Sequence, residues 1–370
     1  MLIEQLSIKN FKIHESTELT FSNNLNFIVG GNGQGKTSIL EAIYFLCTTK
    51  GFKNLIDSEY VKFGNSAYEI SATFAGESFH KSRIYFSNQE SRRSYFLDGK
   101  GIFRASNIIG KFPVVLLTPE DHALTQGSPS ERRKFVDSIL SQSSDYYLDT
   151  LLDYNKILKQ RSTLLSLIKE QPRNEYFSEL EVWDDKLVSS GTIIIKKRTE
   201  FINEFVNYID TAYNRIMPFD EKPGLVYSPF QDYTGEITED VFRDRLGKRK
   251  SEEIRRGTNL TGPHRDDIVF DINGNNLKTF GSQGQHKTFQ LALRFAQFYF
   301  MKDATGINPI FLLDDAFGEL DKNRAQNISG YLNEVGQTFI TMTDFSDYGL
   351  LADSVEKKII YVEAGKTEVR

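Results

Sequence analysis

Eight consecutive residues, Gly30-Gly31-Asn32-Gly33-Gln34-Gly35-Lys36-Thr37, fit the pattern G-x-x-x-x-G-K-[ST] at every fixed position. Glycines let backbone N–H groups curl around phosphate oxygens, and the helix that follows turns the positive end of its dipole to the same anion. The expected ligand is ATP with Mg²⁺: Lys36 reaches the β and γ phosphates, the Thr37 hydroxyl holds the cation, and Ser38 belongs to the same cradle. A second chemical signal is Ile310-Phe311-Leu312-Leu313-Asp314-Asp315, four apolar residues ending in two carboxylates. A buried strand that delivers acids to a phosphate site would let Asp314 complete the Mg²⁺ shell and Asp315 polarise the water that attacks the γ phosphate. The third is Gly281-Ser282-Gln283-Gly284-Gln285-His286-Lys287, ahead of Phe289, Leu293, Ala296 and Tyr299 at helical spacing. Ser282, Gly284 and Gln285 at a helix N-terminus form a second anion cradle, and one triphosphate does not need two cradles from one chain.

These pieces resemble the parts of ABC-type ATPases. Ser282-x-Gly284-Gln285 is similar to the signature segment that caps a nucleotide held by the opposite subunit, and Phe317-Gly318-Glu319-Leu320-Asp321 is similar to the D-loop. Transporter-type members carry a switch histidine at the end of the last core strand. Here Thr338-Phe339-Ile340-Thr341-Met342 runs into Thr343 and Asp344, so the expected γ-phosphate sensor is Thr343.

The elements that must position these residues are legible as periods. Leu6 and Ile8 alternate with polar neighbours, Leu25 to Val29 is an apolar run into the glycine-rich loop, and Ile39, Leu40, Ile43, Leu46 and Cys47 recur at helical spacing. Ile70, Ala72 and Phe74 alternate again, and Asp98-Gly99 and Asn273-Gly274 are hairpin signals. Between about Ser130 and Met217 the period becomes helical, broken at Pro172. Neither helical segment keeps a strict heptad, so a compact lobe is expected rather than a coiled coil. The fold class expected is α/β: a P-loop ABC-type ATPase head with flanking antiparallel strands and an inserted, mainly helical lobe. Residues 1–125 and 262–370 form the ATP-binding lobe in this reading, and 126–261 the insertion.

The chain of 370 residues has 45 Lys+Arg against 50 Asp+Glu, a net charge of -5, with 39% hydrophobic and 26% charged residues. That is a globular profile long enough for two or three packed units. One cysteine, Cys47, excludes an intramolecular disulfide and points to the cytoplasm. The N-terminus has no basic head followed by an apolar core, and no apolar run reaches membrane-spanning length, so no membrane partner is expected. The acidic balance leaves nucleic-acid binding to local patches. Two stretches qualify, Lys81 to Arg104 and Arg243 to Arg256, each with net charge +4. Their expected DNA contacts are Arg92, Arg93, Lys248, Arg249 and Lys250.

With these motifs in place the sequence resembles the RecF family, related to the heads of SMC and Rad50 proteins. The resemblance runs through nearly the whole chain. It is carried by Pro119-Glu120-Asp121, Gly127-Ser128-Pro129, Arg132-Arg133-Lys134-Phe135-Val136-Asp137 and Gly262-Pro263-His264-Arg265-Asp266-Asp267 as well as by the ATPase motifs. Thr125 and Gly318 depart from the usual pattern without removing a phosphate or metal ligand. The resemblance implies an ATP-dependent homodimer on single-stranded, duplex or gapped DNA, slow hydrolysis that releases it, and cooperation with RecR and RecO in loading recombinase. A transporter's ATP-driven subunit is the alternative with the same three motifs; a P-loop kinase and a chromosome-structure protein are further ones. Arg132 and Arg133 could bind phosphate or pair with nearby acids, and His264 is expected to be a hydrogen-bonded structural residue.

Overall fold

A computed structural model describes the chain except residues 54, 218–219, 231–232, 234, 316–326, 329, 345–355 and 370. Along the sequence, Leu2–Phe11 (β1), His14–Thr20 (β2) and Leu25–Val29 (β3) lead to the helix Lys36–Thr48 (α1). Ala67–Ala75 (β4), Phe79–Ser87 (β5), Arg92–Leu97 (β6), Lys100–Ile102 (β7) and Val114–Leu117 (β8) follow. Next come His122–Gln126 (α2), Pro129–Ser143 (α3), Asp145–Glu170 (α4), Asn174–Ile216 (α5), Pro223–Ser228 (β9) and Glu239–Arg256 (α6). Asp267–Ile272 (β10), Asn275–Asn276 (β11), Leu277–Phe280 (α7), Gln283–Thr305 (α8), Ile310–Leu313 (β12), Thr338–Met342 (β13), Lys357–Glu363 (β14) and Lys366–Val369 (β15) complete it. The α/β class read from the sequence is the class observed, and the helical break falls between α4 and α5, around Pro172.

The chain divides into two compact units. The first comprises Met1–Asp121, Thr211–Phe219 and Leu291–Arg370. Its central sheet has the order β15-β14-β3-β13-β12-β8, parallel except for the edge strand β15, and a second sheet, β2-β1-β4-β5-β6-β7, is antiparallel throughout. β3, β8, β12 and β13 are buried at every residue, which is why their sequences read as unbroken apolar runs rather than alternations. The apolar residues of α1 and the inward residues of β1, β4 and β5 share one core, with Cys47 packed inside it.

The second unit comprises His122–Asp210 and Asp220–Gln290. It therefore includes residues 262–290, which the sequence reading had assigned to the ATP-binding lobe. The cause is local pairing. β10 lies between β11 and β9 in a three-stranded sheet, and the Arg132 guanidinium donates to both carboxylate oxygens of Asp267 at 2.8–3.0 Å. A buried ion cluster ties the helices together: Arg161, fully buried, donates to Asp184, Asn259 and Glu253, each at 2.6 Å.

Candidate functional site

β3 delivers the glycine-rich loop and α1 carries it away. Gly35 has φ 109° and sits at the helix N-cap, and a Cβ there would lie 2.7 Å from Ile13 Cγ2, so both conformation and space require glycine. Gly30 is constrained by space alone, since its Cβ would meet the Val362 carbonyl oxygen at 2.2 Å. The loop is also pinned from outside. The Ala364 amide donates to Gln34 Oε1 at 2.6 Å, the Gly365 amide to the Gln34 carbonyl at 3.0 Å, and buried His14 shares a hydrogen bond of 3.0 Å with the Gly35 carbonyl.

Lys36 folds back over this loop and donates from Nζ to the carbonyls of Gly30 at 2.6 Å and Gly31 at 2.8 Å. Burial pushes its pKa down, and the nearby carboxylates of Asp315 and Asp314 push it back up. Thr37 Oγ1 donates toward Asp314, 2.9 Å from Oδ1 and 3.1 Å from Oδ2. Asp314 is buried, which raises its pKa, while hydrogen bonds from Thr341 and Thr37 stabilise the ionised form. Asp315 is exposed and lies in the left-handed region with φ 49°. A cavity of about 390 Å³ joins these groups, lined by Asn32, Gly33, Gln34, Gly35, Lys36, Thr37 and Ser38, by Asp314 and Asp315, and by Thr341. Thus Thr37 and Asp314, separated by 277 positions, converge on one cavity.

The oxygen pair of Thr37 and Asp314 suits a hard divalent cation. No group of three or more His, Cys, Asp or Glu residues able to hold a metal occurs among the described residues. A cation here would therefore take two protein oxygens and complete its shell from phosphate and water, which is the Mg²⁺ habit at nucleotide sites.

Four lining residues, Lys12, Ile13, Lys53 and Thr341, escaped the sequence reading. Lys12 and Ile13 sit at the turn between β1 and β2, and Lys53 follows α1. Lys12 is held by an ion pair with Glu41, a fully buried carboxylate that also accepts from the Lys53 amide at 3.3 Å and the Tyr60 hydroxyl at 3.3 Å. Nothing in the local pattern around Lys12 marks it, because its position comes from long-range pairing. Near the end of β13 it is Thr341 that meets the Asp314 carboxylate and the Asp315 amide. Thr343, the expected sensor, lies beyond the last strand residue and is exposed, and among the described residues it does not line the cavity. The segment 317–321 lies outside the described residues.

The signature-like segment belongs to the second unit. The Gln285 amide donates to Ser282 Oγ at 3.2 Å while Gln285 Oε1 accepts from the Ser282 amide at 2.8 Å, a reciprocal capping box that opens α8. Gln285 Nε2 also donates to Glu221 at 2.8 Å, and Gly284 lies in the first turn of the helix.

The expected DNA contacts divide. Arg92 and Arg249 are exposed, at the start of β6 and on α6. Arg93 instead pairs with Asp57 at 2.8 Å and lies over the Phe45 ring, while Lys248 pairs with Asp244 at 2.6 Å and Lys250 with Asp184 at 3.3 Å. Asp184 and Asp185, which pair with Lys250 and Arg243, lie outside the α6 stretch, so the charge around it is lower than its own composition gives.

Two of the segments that carry the family resemblance outside the ATPase motifs, Arg132 to Asp137 and Gly262 to Asp267, lock onto each other. Arg133 donates to the Asp266 carbonyl at 2.5 Å, and Arg198 donates to Asp137 at 2.8–3.0 Å and to the Pro263 carbonyl at 2.7 Å. His264 Nδ1 shares a 2.7 Å hydrogen bond with the Tyr154 hydroxyl, the structural role expected for it. Burial lowers the His264 pKa to about 4, with Arg265, Arg133 and Arg161 adding to the effect. The unfolded chain takes up this proton near pH 6.5, the folded chain only near 4, so the stability contribution is complete above about 6.5 and lost as pH falls toward 4. Between those limits wild type should lose up to about 3 kcal/mol that His264→Gln does not lose. Denaturant titrations of both proteins at pH 4.5 and 7 test this, and parallel losses would rule it out.

The family model for the RecF/RecN/SMC N terminal domain matches residues 2–348. A DNA replication and repair protein RecF from Chloroherpeton thalassium is 38% identical over 360 residues, covering 94% of this chain and 96% of the relative. Its counterpart from Salinibacter ruber is 36% identical, covering 93% and 85%. The solved structure of the recombination mediator protein RecF-ATPrS in the RecFOR pathway superposes with a TM-score of 0.90 at 29% identity, covering 100% of this chain and 98% of that one. An Smc head domain from Pyrococcus furiosus reaches a TM-score of 0.59 at 18% identity, covering 100% and 95%, a likeness of fold alone.

Proposed function

This chain belongs to the RecF family, and from that premise we propose that it is an ATP-dependent DNA-binding protein of recombinational repair and replication restart. The observation that carries the reading is the convergence of Lys36, Thr37, Asp314 and Asp315 on one cavity. The loop amides and Lys36 bind the phosphates, and Thr37 with Asp314 would hold Mg²⁺. The cation, when bound, draws charge from the phosphate oxygens and lowers the barrier to attack. Asp315, exposed in the cavity, orients and polarises the attacking water. Family membership sets aside the transporter alternative, and no helix among the described residues is long and apolar enough to cross a membrane.

ATP binding drives homodimerisation in this proposal: the helix N-terminus at Ser282, Gly284 and Gln285 of one copy seals the phosphate site of the other, and slow, DNA-stimulated hydrolysis releases the pair. The dimer works in the cytoplasm on DNA at gaps or single-strand/duplex junctions, with RecR and RecO, in recombinase loading and the SOS response. Exposed Arg92 and Arg249 are the cations best placed to meet phosphate. Ser282→Arg places a bulky cation on the sealing surface. It should keep wild-type ATP affinity yet lose ATP-dependent dimers in sedimentation velocity, with DNA affinity in a gel shift falling about tenfold or more. Dimers of wild-type strength from this variant would remove the role given to the segment.

A further inference from the structure

β13 lies between β3, which feeds the phosphate loop, and β12, which ends in the acidic pair. Leu313 is in register with Ile340, and Thr341 with Ile28. The residue after Leu313 is Asp314 and the residue after Ile340 is Thr341, so the register alone brings this threonine level with the first carboxylate. Its side chain is 1% exposed. Its hydroxyl donates to Asp314 Oδ1 at 2.8 Å and accepts from the Asp315 amide at 2.8 Å. A hydroxyl has a single proton, so the polarity is fixed: the proton goes to the carboxylate and a lone pair takes the amide.

Asp315 sits at φ 49°, a conformation that side chains other than glycine adopt uncommonly. Its amide bond to Thr341 is a contact that holds it there. We infer that Thr341 is a positioning residue for ATP hydrolysis: one buried hydroxyl sets the cation-holding carboxylate and the water-facing carboxylate in a common frame. The inference rests on the roles given above to Asp314 and Asp315. Thr341 binds Oδ1, which Thr37 also approaches at 2.9 Å, and Oδ2, 3.1 Å from Thr37, is the oxygen left for a cation. The alternative is that Thr341 merely packs within a buried strand. A threonine kept for packing alone would be replaceable by valine, which has nearly its shape.

The experiment uses the full chain as wild type, Thr341→Val, Thr341→Ala and Thr341→Ser. Three quantities are measured: single-turnover ATP hydrolysis, ATP affinity by calorimetry with and without Mg²⁺, and melting temperature. Val and Ala should hydrolyse about 10- to 100-fold more slowly and lose most of the gain in affinity that Mg²⁺ confers, while affinity without Mg²⁺ stays near wild type. Ser should restore both. Val with wild-type hydrolysis and Mg²⁺ response overturns the inference, and so does a folded Ser variant as impaired as Ala. If Val does not fold, the comparison of Ala with Ser decides alone. Asp315→Asn separates the two levels: normal hydrolysis there removes the role of Asp315, whereas a Mg²⁺ response lost in Ala and kept in Ser still supports the clip on Asp314.

Discussion

Asp315→Asn lowers ATP turnover by about 10²- to 10⁴-fold and leaves ATP binding close to wild type. The size follows from the group's role. An amide cannot accept the proton of an attacking water, and it carries no charge to orient the water's dipole. Binding survives because the phosphates are held elsewhere, by the loop amides, by Lys36 and by Thr37 with Asp314. The substitution is nearly isosteric at an exposed position, so folding should not change. Asparagine also tolerates the left-handed backbone that Asp315 occupies. Pre-steady-state phosphate release at saturating ATP, set beside a nucleotide affinity measured by calorimetry, reads the two effects separately. Turnover within a few-fold of wild type would mean that another group faces the water. A further consequence is that ATP-dependent dimers of this variant should persist long after wild-type dimers have dissociated, because the step that opens them is blocked.

Lys36→Met produces the second large effect, at binding rather than turnover. In the structure the ammonium of buried Lys36 is satisfied by two loop carbonyls at 2.6 and 2.8 Å, with two carboxylates near. The ammonium is thus held in place before any phosphate arrives. Charged hydrogen bonds contribute about 1.5–3 kcal/mol each, so losing the phosphate contact should weaken ATP binding about 10- to 100-fold. Methionine fills similar volume without charge, and the melting temperature of the protein without nucleotide should move little. Equilibrium binding of a fluorescent ATP analogue checks the expectation. Affinity equal to wild type would sink the assignment of this loop as the phosphate cradle. The pair of variants is informative together, since Lys36→Met should prevent dimers from forming and Asp315→Asn should prevent them from dissociating.

The motif residues of the site were legible because their signals are local. A P-loop is a spacing of glycines, a lysine and a hydroxyl within eight positions, and conformational need fixes those types whatever the rest of the chain does. Four apolar residues ending in Asp314 and Asp315 likewise announce a buried parallel strand and its acidic end. The break at Pro172 and the turns at Asp98-Gly99 and Asn273-Gly274 were readable for the same reason, each set by backbone geometry within a few residues.

What the tertiary structure alone decided were the choices of partner. Thr341 rather than Thr343 meets the acids because β13 is placed between β3 and β12 at one register, and strand order carries no local period. Lys12 reaches the cavity through a carboxylate 29 positions away, and Arg93, read as a DNA contact from its charge, spends that charge on Asp57. Residues 262–290 join the second unit because β10 pairs with β9. A sequence shows which groups a chain owns and the local bends it must make. Which of those groups meet is fixed by long-range strand pairing and by the need of every buried charge for a counter-charge, and both are properties of the folded whole.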